Sequence, residues 1–199
     1  MSTVPLDIGQ VASRKEIMKA LPRGLVGAEV GVWRGTFSQV ILKYCCPKIL
    51  YLFDNWFEGT DKGTYAYDEP IKCLHAVRGM MVRNRRAIIA GVLRPLCGLS
   101  PAVSALLPDE HLDFVYIDAS HDYESHKADL AAWVPKVRPG GLIACHDYNM
   151  EGCSEAFWNR QAWGVGRAVR EYCAEHGIEE LRHTEDLVQT GYFVKPMEA

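Results

Sequence analysis

The sequence lacks the signals that would place it in a membrane or outside the cell. No apolar run approaches the roughly 20 residues that span a bilayer. The opening MSTVPLDIGQ has no basic stretch followed by an apolar core, as a signal peptide would. A cytoplasmic protein with no membrane partner is therefore expected. Neither sign of charge is in excess: 22 Lys and Arg against 25 Asp and Glu leave a formal net charge of −3, so nucleic acid finds no general attraction. The cluster Arg78, Arg83, Arg85 and Arg86 reads as a solvated helix face. Seven cysteines, Cys45, Cys46, Cys73, Cys97, Cys145, Cys153 and Cys173, are odd in number and contain no C-x-x-C. They signal neither a disulfide framework nor a zinc ribbon, and reduced thiols in or near the core are expected. No G-x-S-x-G elbow is present, which removes the usual α/β serine hydrolase. Repeats, low-complexity tracts and linkers are also missing. One domain over residues 1–199 is expected, opening with a helical segment at 1–24.

What is present begins at residues 25–42, LVGAEVGVWRGTFSQVIL. A short apolar run suited to a buried parallel strand ends in Glu29, and a Gly-x-x-x-Gly loop then opens a helix. Gly31 and Gly35 let the backbone turn sharply. The loop is not the G-x-G-x-x-G dinucleotide fingerprint, and Trp33 in its middle argues against a diphosphate lying on the backbone.

The rest alternates. Helices are predicted at 8–20, 36–45, 70–86, 101–107, 123–134 and 164–176, and strands at 26–30, 49–54, 92–97, 113–118 and 141–146. Near the end, residues 180–183 and 188–194 are spaced for an antiparallel hairpin. The expected fold is a Rossmann-like α/β, seven-stranded mostly parallel sheet with helices on both faces and an antiparallel C-terminal hairpin. Ligands then belong at the carboxyl ends of the strands. The long stretch 56–69 follows one such end and suggests a lid.

Three strands finish in polar residues that a sheet interior does not need. The second ends in Asp54, placed to accept the hydroxyls of a ribose. The fourth, LDFVYIDASHDY, delivers Asp118 and then His121, and the fifth, GGLIACHDYN, delivers His146 and Asp147. Adjacent tips bring these together as an oxygen and imidazole cluster suited to a divalent cation, with His121 close enough to act as a base. Residues 149–164, carrying Phe157, Trp158 and Trp163, follow the fifth strand and suit an acceptor pocket or a homodimer contact.

Together these segments resemble the class I S-adenosylmethionine-dependent methyltransferases, especially the metal-dependent small-molecule O-methyltransferases of the caffeoyl-CoA, catechol and macrolide-sugar types. The likeness rests on EVGVWRGTFS at 29–38, IDASHDY at 117–123, GGLIACHDYN at 140–149 and DLVQTGYFVKP at 186–196. It implies a cofactor site made by Glu29, Gly31, Trp33, Gly35, Thr36, Phe37, Ser38, Asp54, Asn55, Trp56, Gly98, Leu99, Ser100 and Asp118. Glu29, Gly31 and Ser38 would meet the methionine part, Asp54 the ribose, and residues 97–100 the adenine. It also implies metal ligands at Asp118, His146 and Asp147, holding Mg or Mn, although the family usually has an acid where His146 stands. His121 falls where the sugar-modifying type has a histidine base, which points to a sugar-like or polyol hydroxyl as acceptor. Asp118 and His121 are then the catalytic pair. Two other readings remain open from the residues alone: a mononuclear non-haem iron oxygenase using His121, His146 and Asp118, and a nucleoside-binding protein without turnover.

Overall fold

The computed structural model describes residues 4–56, 70–150 and 163–197. The expected lid beyond Trp56, and Cys153, Phe157 and Trp158, lie outside the described residues.

Five apolar segments form the parallel part of the sheet: β1 (Val26–Val30), β2 (Ile49–Asp54), β3 (Leu93–Cys97), β4 (Leu112–Ile117) and β5 (Val137–Cys145). Two short strands, β6 (Arg182–His183) and β7 (Gly191–Val194), complete it, in the order β3-β2-β1-β4-β5-β7-β6. β7 pairs antiparallel with both neighbours, so it alone runs against the rest. Side chains alternate along each central strand and both faces are dry, which explains why these strands read as continuous apolar runs rather than alternating ones.

Helices cover both faces. α1 (Arg14–Ala20), α2 (Thr36–Tyr44) and α3 (Pro70–Ile89) pack on the face that carries Leu52, Phe114 and Tyr116. α4 (Ser100–Val103), α5 (Tyr123–Trp133) and α6 (Val165–Glu175) pack on the face that carries Val115, Ile117 and Ile143. Each fully buried side chain of this kind contributes roughly 1.5–3 kcal/mol. Among the described residues no helix is long and apolar enough to cross a membrane.

Two elements differ most from expectation. The first helix starts at Arg14 rather than residue 8, because residues 4–12 spend their backbone groups on the sheet's end. Leu6 N–H donates to Gly140 O, Arg182 to Ile8 O, and the Tyr192 hydroxyl to Gly9 O. Leu6 and Ile8 are buried two residues apart, a spacing for an extended segment. The fifth strand is longer than expected and runs through Gly140 and Gly141, which do not turn the chain away. They sit opposite a register shift between Leu112 and Phe114 on β4, and the bulge uses the left-handed φ of +72° at Gly140.

Candidate active site

The order of the strands reverses at β1, whose neighbours β2 and β4 send their connections to opposite faces. Strand ends on either side of such a point leave a crevice for a ligand. The tips of β1, β2, β4 and β5 hold most of the residues singled out in the sequence.

The turn after β1 is fixed by its glycines and by Asp54. Gly31 has φ +86°, and a Cβ there would lie 1.9 Å from the carbonyl oxygen of Asp118. At Gly35, φ +66°, it would press on Asn84 and Met80 at 2.8 Å. Both glycines thus serve close packing of protein on protein. Asp54 Oδ2 accepts the amide hydrogens of Val32 and Trp33, each at 2.7 Å, which ties the tip of β2 to the loop. Trp33 itself takes a left-handed φ of 48° and remains partly exposed beneath Arg34. Trp56 is buried and donates its indole N–H to Trp33 O, so its ring belongs to the core.

Glu29 and the first turn of α2, Thr36, Phe37 and Ser38, form the next wall. Ser38 Oγ donates to Glu29 Oε2 at 2.5 Å. Glu29 is almost completely buried, and that loss of water pushes its carboxyl up to about 8 despite the bond from Ser38. Burial thus favours the protonated acid there near neutral pH.

At the third strand's end Gly98 N–H donates to Asp54 O, and Leu99 is exposed. Ser100 is engaged elsewhere: its hydroxyl donates to Asp129 and accepts from Trp133 Nε1 at 2.9 Å. Burial pushes Asp129 up to about 7 against that bond.

Asp118, His121, His146 and Asp147 do meet. His121 Nε2 lies 3.1 Å from Asp147 Oδ2 and 4.0 Å from Asp118 Oδ1. His146 Nδ1 lies 3.1 Å from Asp147 Oδ2 and 3.4 Å from Asp118 Oδ1, without the alignment of a hydrogen bond to either. Burial works against a charged imidazole at both histidines, but the facing carboxylates outweigh it: His121 is raised, and His146 reaches about 9. Asp147 is correspondingly held below the ordinary carboxylate range, the two imidazoles overcoming its burial. Its own φ is left-handed at 61°, a costly conformation for a residue with a Cβ, which marks the fifth tip as built for this placement.

The donor set suits a divalent cation. One ligand atom each from Asp118, His121 and Asp147 falls within 4.8 Å of the others, two oxygens and an imidazole nitrogen. His146, expected as a ligand, stands beside this trio with Nδ1 facing both acids.

Three further residues join the site that the sequence did not single out for these roles. Trp163 stacks on the His121 ring, centroids 4.3 Å apart and planes within 10°. Arg14 of α1 brings Nη1 to 3.2 Å from the Tyr116 hydroxyl and 3.5 Å from Asp118. His126, in the first turns of α5, is buried with neither ring nitrogen bonded, and burial lowers it to about 4. Trp163 and Arg14 reach the site through contacts between distant segments, for which no local spacing exists.

This sheet order, with its glycine turn and polar tips, is that of the Rossmann-like methyltransferases. Residues 28–148 match the family described as a methyltransferase domain, and the chain belongs to that family. Membership supports methyl transfer from S-adenosylmethionine. Among solved structures the chain is similar to a Corynebacterium glutamicum protein, at 16% identity over 93% of this chain and 79% of that one, TM-score 0.64. It is also similar to a Staphylococcus aureus protein whose name proposes a caffeoyl-CoA O-methyltransferase, at 12% identity over 91% and 80%, TM-score 0.58. A third is spermidine synthase from Thermotoga maritima, at 11% identity over 94% and 57%, TM-score 0.55. These likenesses show the fold. An uncharacterized protein of Sinorhizobium fredii, y4gI, is 28% identical over 78 residues; the match spans 38% of this chain and 8% of that protein.

Proposed function

We propose that the chain methylates a hydroxyl group of a small sugar-like or polyol acceptor, with His121 as the base. The observation that carries the reading is the pairing of His121 with Asp147 at 3.1 Å beside Asp118. Asp147 holds the His121 Nε2 edge, which leaves Nδ1 to take a proton, and Trp163 fixes the plane of the ring. The raised basicity of His121 suits removal of a proton from an alcohol.

The sulfonium of S-adenosylmethionine carries an activated methyl group, so the protein's task is to hold the acceptor oxygen in line with it. The oxygen–methyl bond forms as the sulfur–methyl bond breaks, the hydroxyl proton passes to His121, and S-adenosylhomocysteine leaves. In this reading Glu29, Gly31 and Ser38 line the methionine part and Asp54 the ribose. The backbone at Gly98 and Leu99 flanks the adenine, the Ser100 hydroxyl being committed to Asp129. Asp118 and Asp147 would hold a divalent cation, which when bound would supply Lewis-acid polarisation of the acceptor hydroxyl while His121 keeps its lone pair for the proton.

The test is a screen of sugars, polyols and phenols for release of S-adenosylhomocysteine, followed by His121→Gln. The variant is expected to lower kcat by about 10²–10⁴-fold with S-adenosylhomocysteine affinity unchanged. A kcat equal to the parent's would remove His121 as base, and turnover on phenols alone would replace the acceptor class. A chelator that abolishes turnover, with recovery on added Mn or Mg, would show that the reaction uses the cation.

A further inference from the structure

Methyl transfer of the kind proposed above uses a donor that ends in an α-amino acid, and a guanidinium and a carboxyl group for its two ends stand on one face of the sheet. Glu29 and Tyr116 are register partners on β1 and β4, so their side chains leave the same face side by side. Glu29 is buried and bonded by Ser38. Arg14 stands over the same spot. Its guanidinium lies 4.8 Å above the Phe37 ring, which packs at 4.2 Å on the ring of Tyr116.

Among the described residues only one nitrogen of that guanidinium is used. Nη1 makes both the 3.2 Å contact to Tyr116 and the 3.5 Å pair with Asp118. Nε and Nη2 have no bonded partner among the described residues, although the side chain is only 36% exposed. A guanidinium is a planar fork of five N–H donors matched to a carboxylate, and two contacts through one nitrogen leave most of that fork unspent. An aromatic ring below it fixes its plane.

We propose that Arg14 binds the α-carboxylate of the donor while Glu29 receives its ammonium, making Arg14 the residue that selects an intact amino-acid end over a decarboxylated one. This rests on the methyl-transfer reading, and it concerns a residue outside the 28–148 stretch that matches the family.

Calorimetry on the full chain tests it with two nucleosides, S-adenosylhomocysteine and its decarboxylated counterpart, 5′-deoxy-5′-(3-aminopropylthio)adenosine. The parent is expected to prefer the first by about tenfold or more, the worth of a charge-assisted bond. Arg14→Gln is expected to erase the preference by weakening S-adenosylhomocysteine while the decarboxylated ligand stays within about twofold. If Arg14→Gln does not fold, Arg14→Lys keeps the charge without the fork and is expected to reduce the preference several-fold in the same one-sided way. Equal weakening of both ligands, or a parent that does not discriminate, overturns the proposal and leaves Arg14 as the ion-pair partner of Asp118. An unchanged preference with a raised acceptor KM also overturns it and assigns Arg14 to the acceptor. A parent that binds neither nucleoside sinks the methyl-transfer reading itself, and this inference with it.

Discussion

Gly31 and Gly24 share a left-handed backbone but not a neighbourhood. Gly24 has φ +81° with nothing within 4 Å of a built Cβ, whereas at Gly31 the Asp118 carbonyl lies 1.9 Å away. Gly24→Ala should therefore cost about 1–2 kcal/mol, the strain of the conformation alone. Gly31→Ala must also push β1 and β4 apart, and a loss of at least about 3 kcal/mol is expected in urea denaturation. Equal losses would mean that the two tips are not in contact. Glu29 makes a prediction of opposite character, because its cost depends on pH. Its folded carboxyl, raised to about 8 from an ordinary 4.5, keeps its proton over that range while the unfolded chain gives its proton up. The unliganded protein therefore has this contribution in full below pH 4.5 and loses it as pH rises to about 8. Glu29→Gln should remove that slope, so melting temperatures of parent and variant should diverge in the variant's favour as pH rises through the window. Parallel curves would contradict a protonated Glu29. The same acid illustrates what a sequence conveys at this scale. That Glu29 ends a buried strand was readable from VGAEV; that it is protonated was not, because burial depends on α1 and α2 closing over it.

Among the elements, α5 carries the clearest local signature, since Asp122 begins it and accepts the Ser125 amide hydrogen at 3.0 Å. Asp122→Ala should cost about 1 kcal/mol, in the usual range for a lost cap. The helix start is also clipped to α6: Gly164 N–H donates to His121 O, and Asp122 bridges Trp163. A lower melting point with a modest fall in kcat is therefore expected, and an unchanged melting point would show that the clip alone holds the turn. Strands β1 and β2 have the ends expected from their apolar runs, because a strand buried on both faces is bounded wherever polarity begins. Residues 4–12 misled because apolar residues at mixed spacings suit a helix or an extended segment equally, and the choice was made by partners about 130 to 180 residues away. The cluster of Asp118, His121, His146 and Asp147 was legible because parallel neighbours bring their tips together whatever the helices do. Its internal arrangement was not. That His121 faces Asp147 while His146 lies between both acids follows from the left-handed turn at Asp147, which no spacing announces.

For the molecule as a whole, thiol accessibility reports how firmly the sheet is enclosed. Cys45, Cys73, Cys145 and Cys173 are buried, Cys46 is half-buried and Cys97 is exposed at the end of β3. Burial pushes Cys45 up to about 12 and Cys173 to about 11, away from the reactive thiolate. Among the described cysteines, an aromatic disulfide reagent at about pH 8 should label Cys97 first and Cys46 next in native protein, with Cys45, Cys145 and Cys173 reacting only at the rate of global unfolding. Peptide mapping by mass spectrometry checks the order, and native labelling of Cys145 would reveal that the β4 and β5 region opens on its own. One last property belongs to the whole chain, and it concerns time. The segment that leads into Arg14 is moored by Arg182, Glu185 and Tyr192. On the ribosome the arginine is made early and its moorings late. A nascent chain halted before residue 182 would already carry the glycine turn and the acid tips, yet the segment ahead of the guanidinium would be tied only through Arg138 and Gly140. If Arg14 grips the donor as proposed, that grip would be among the last capacities to mature as the chain is synthesised.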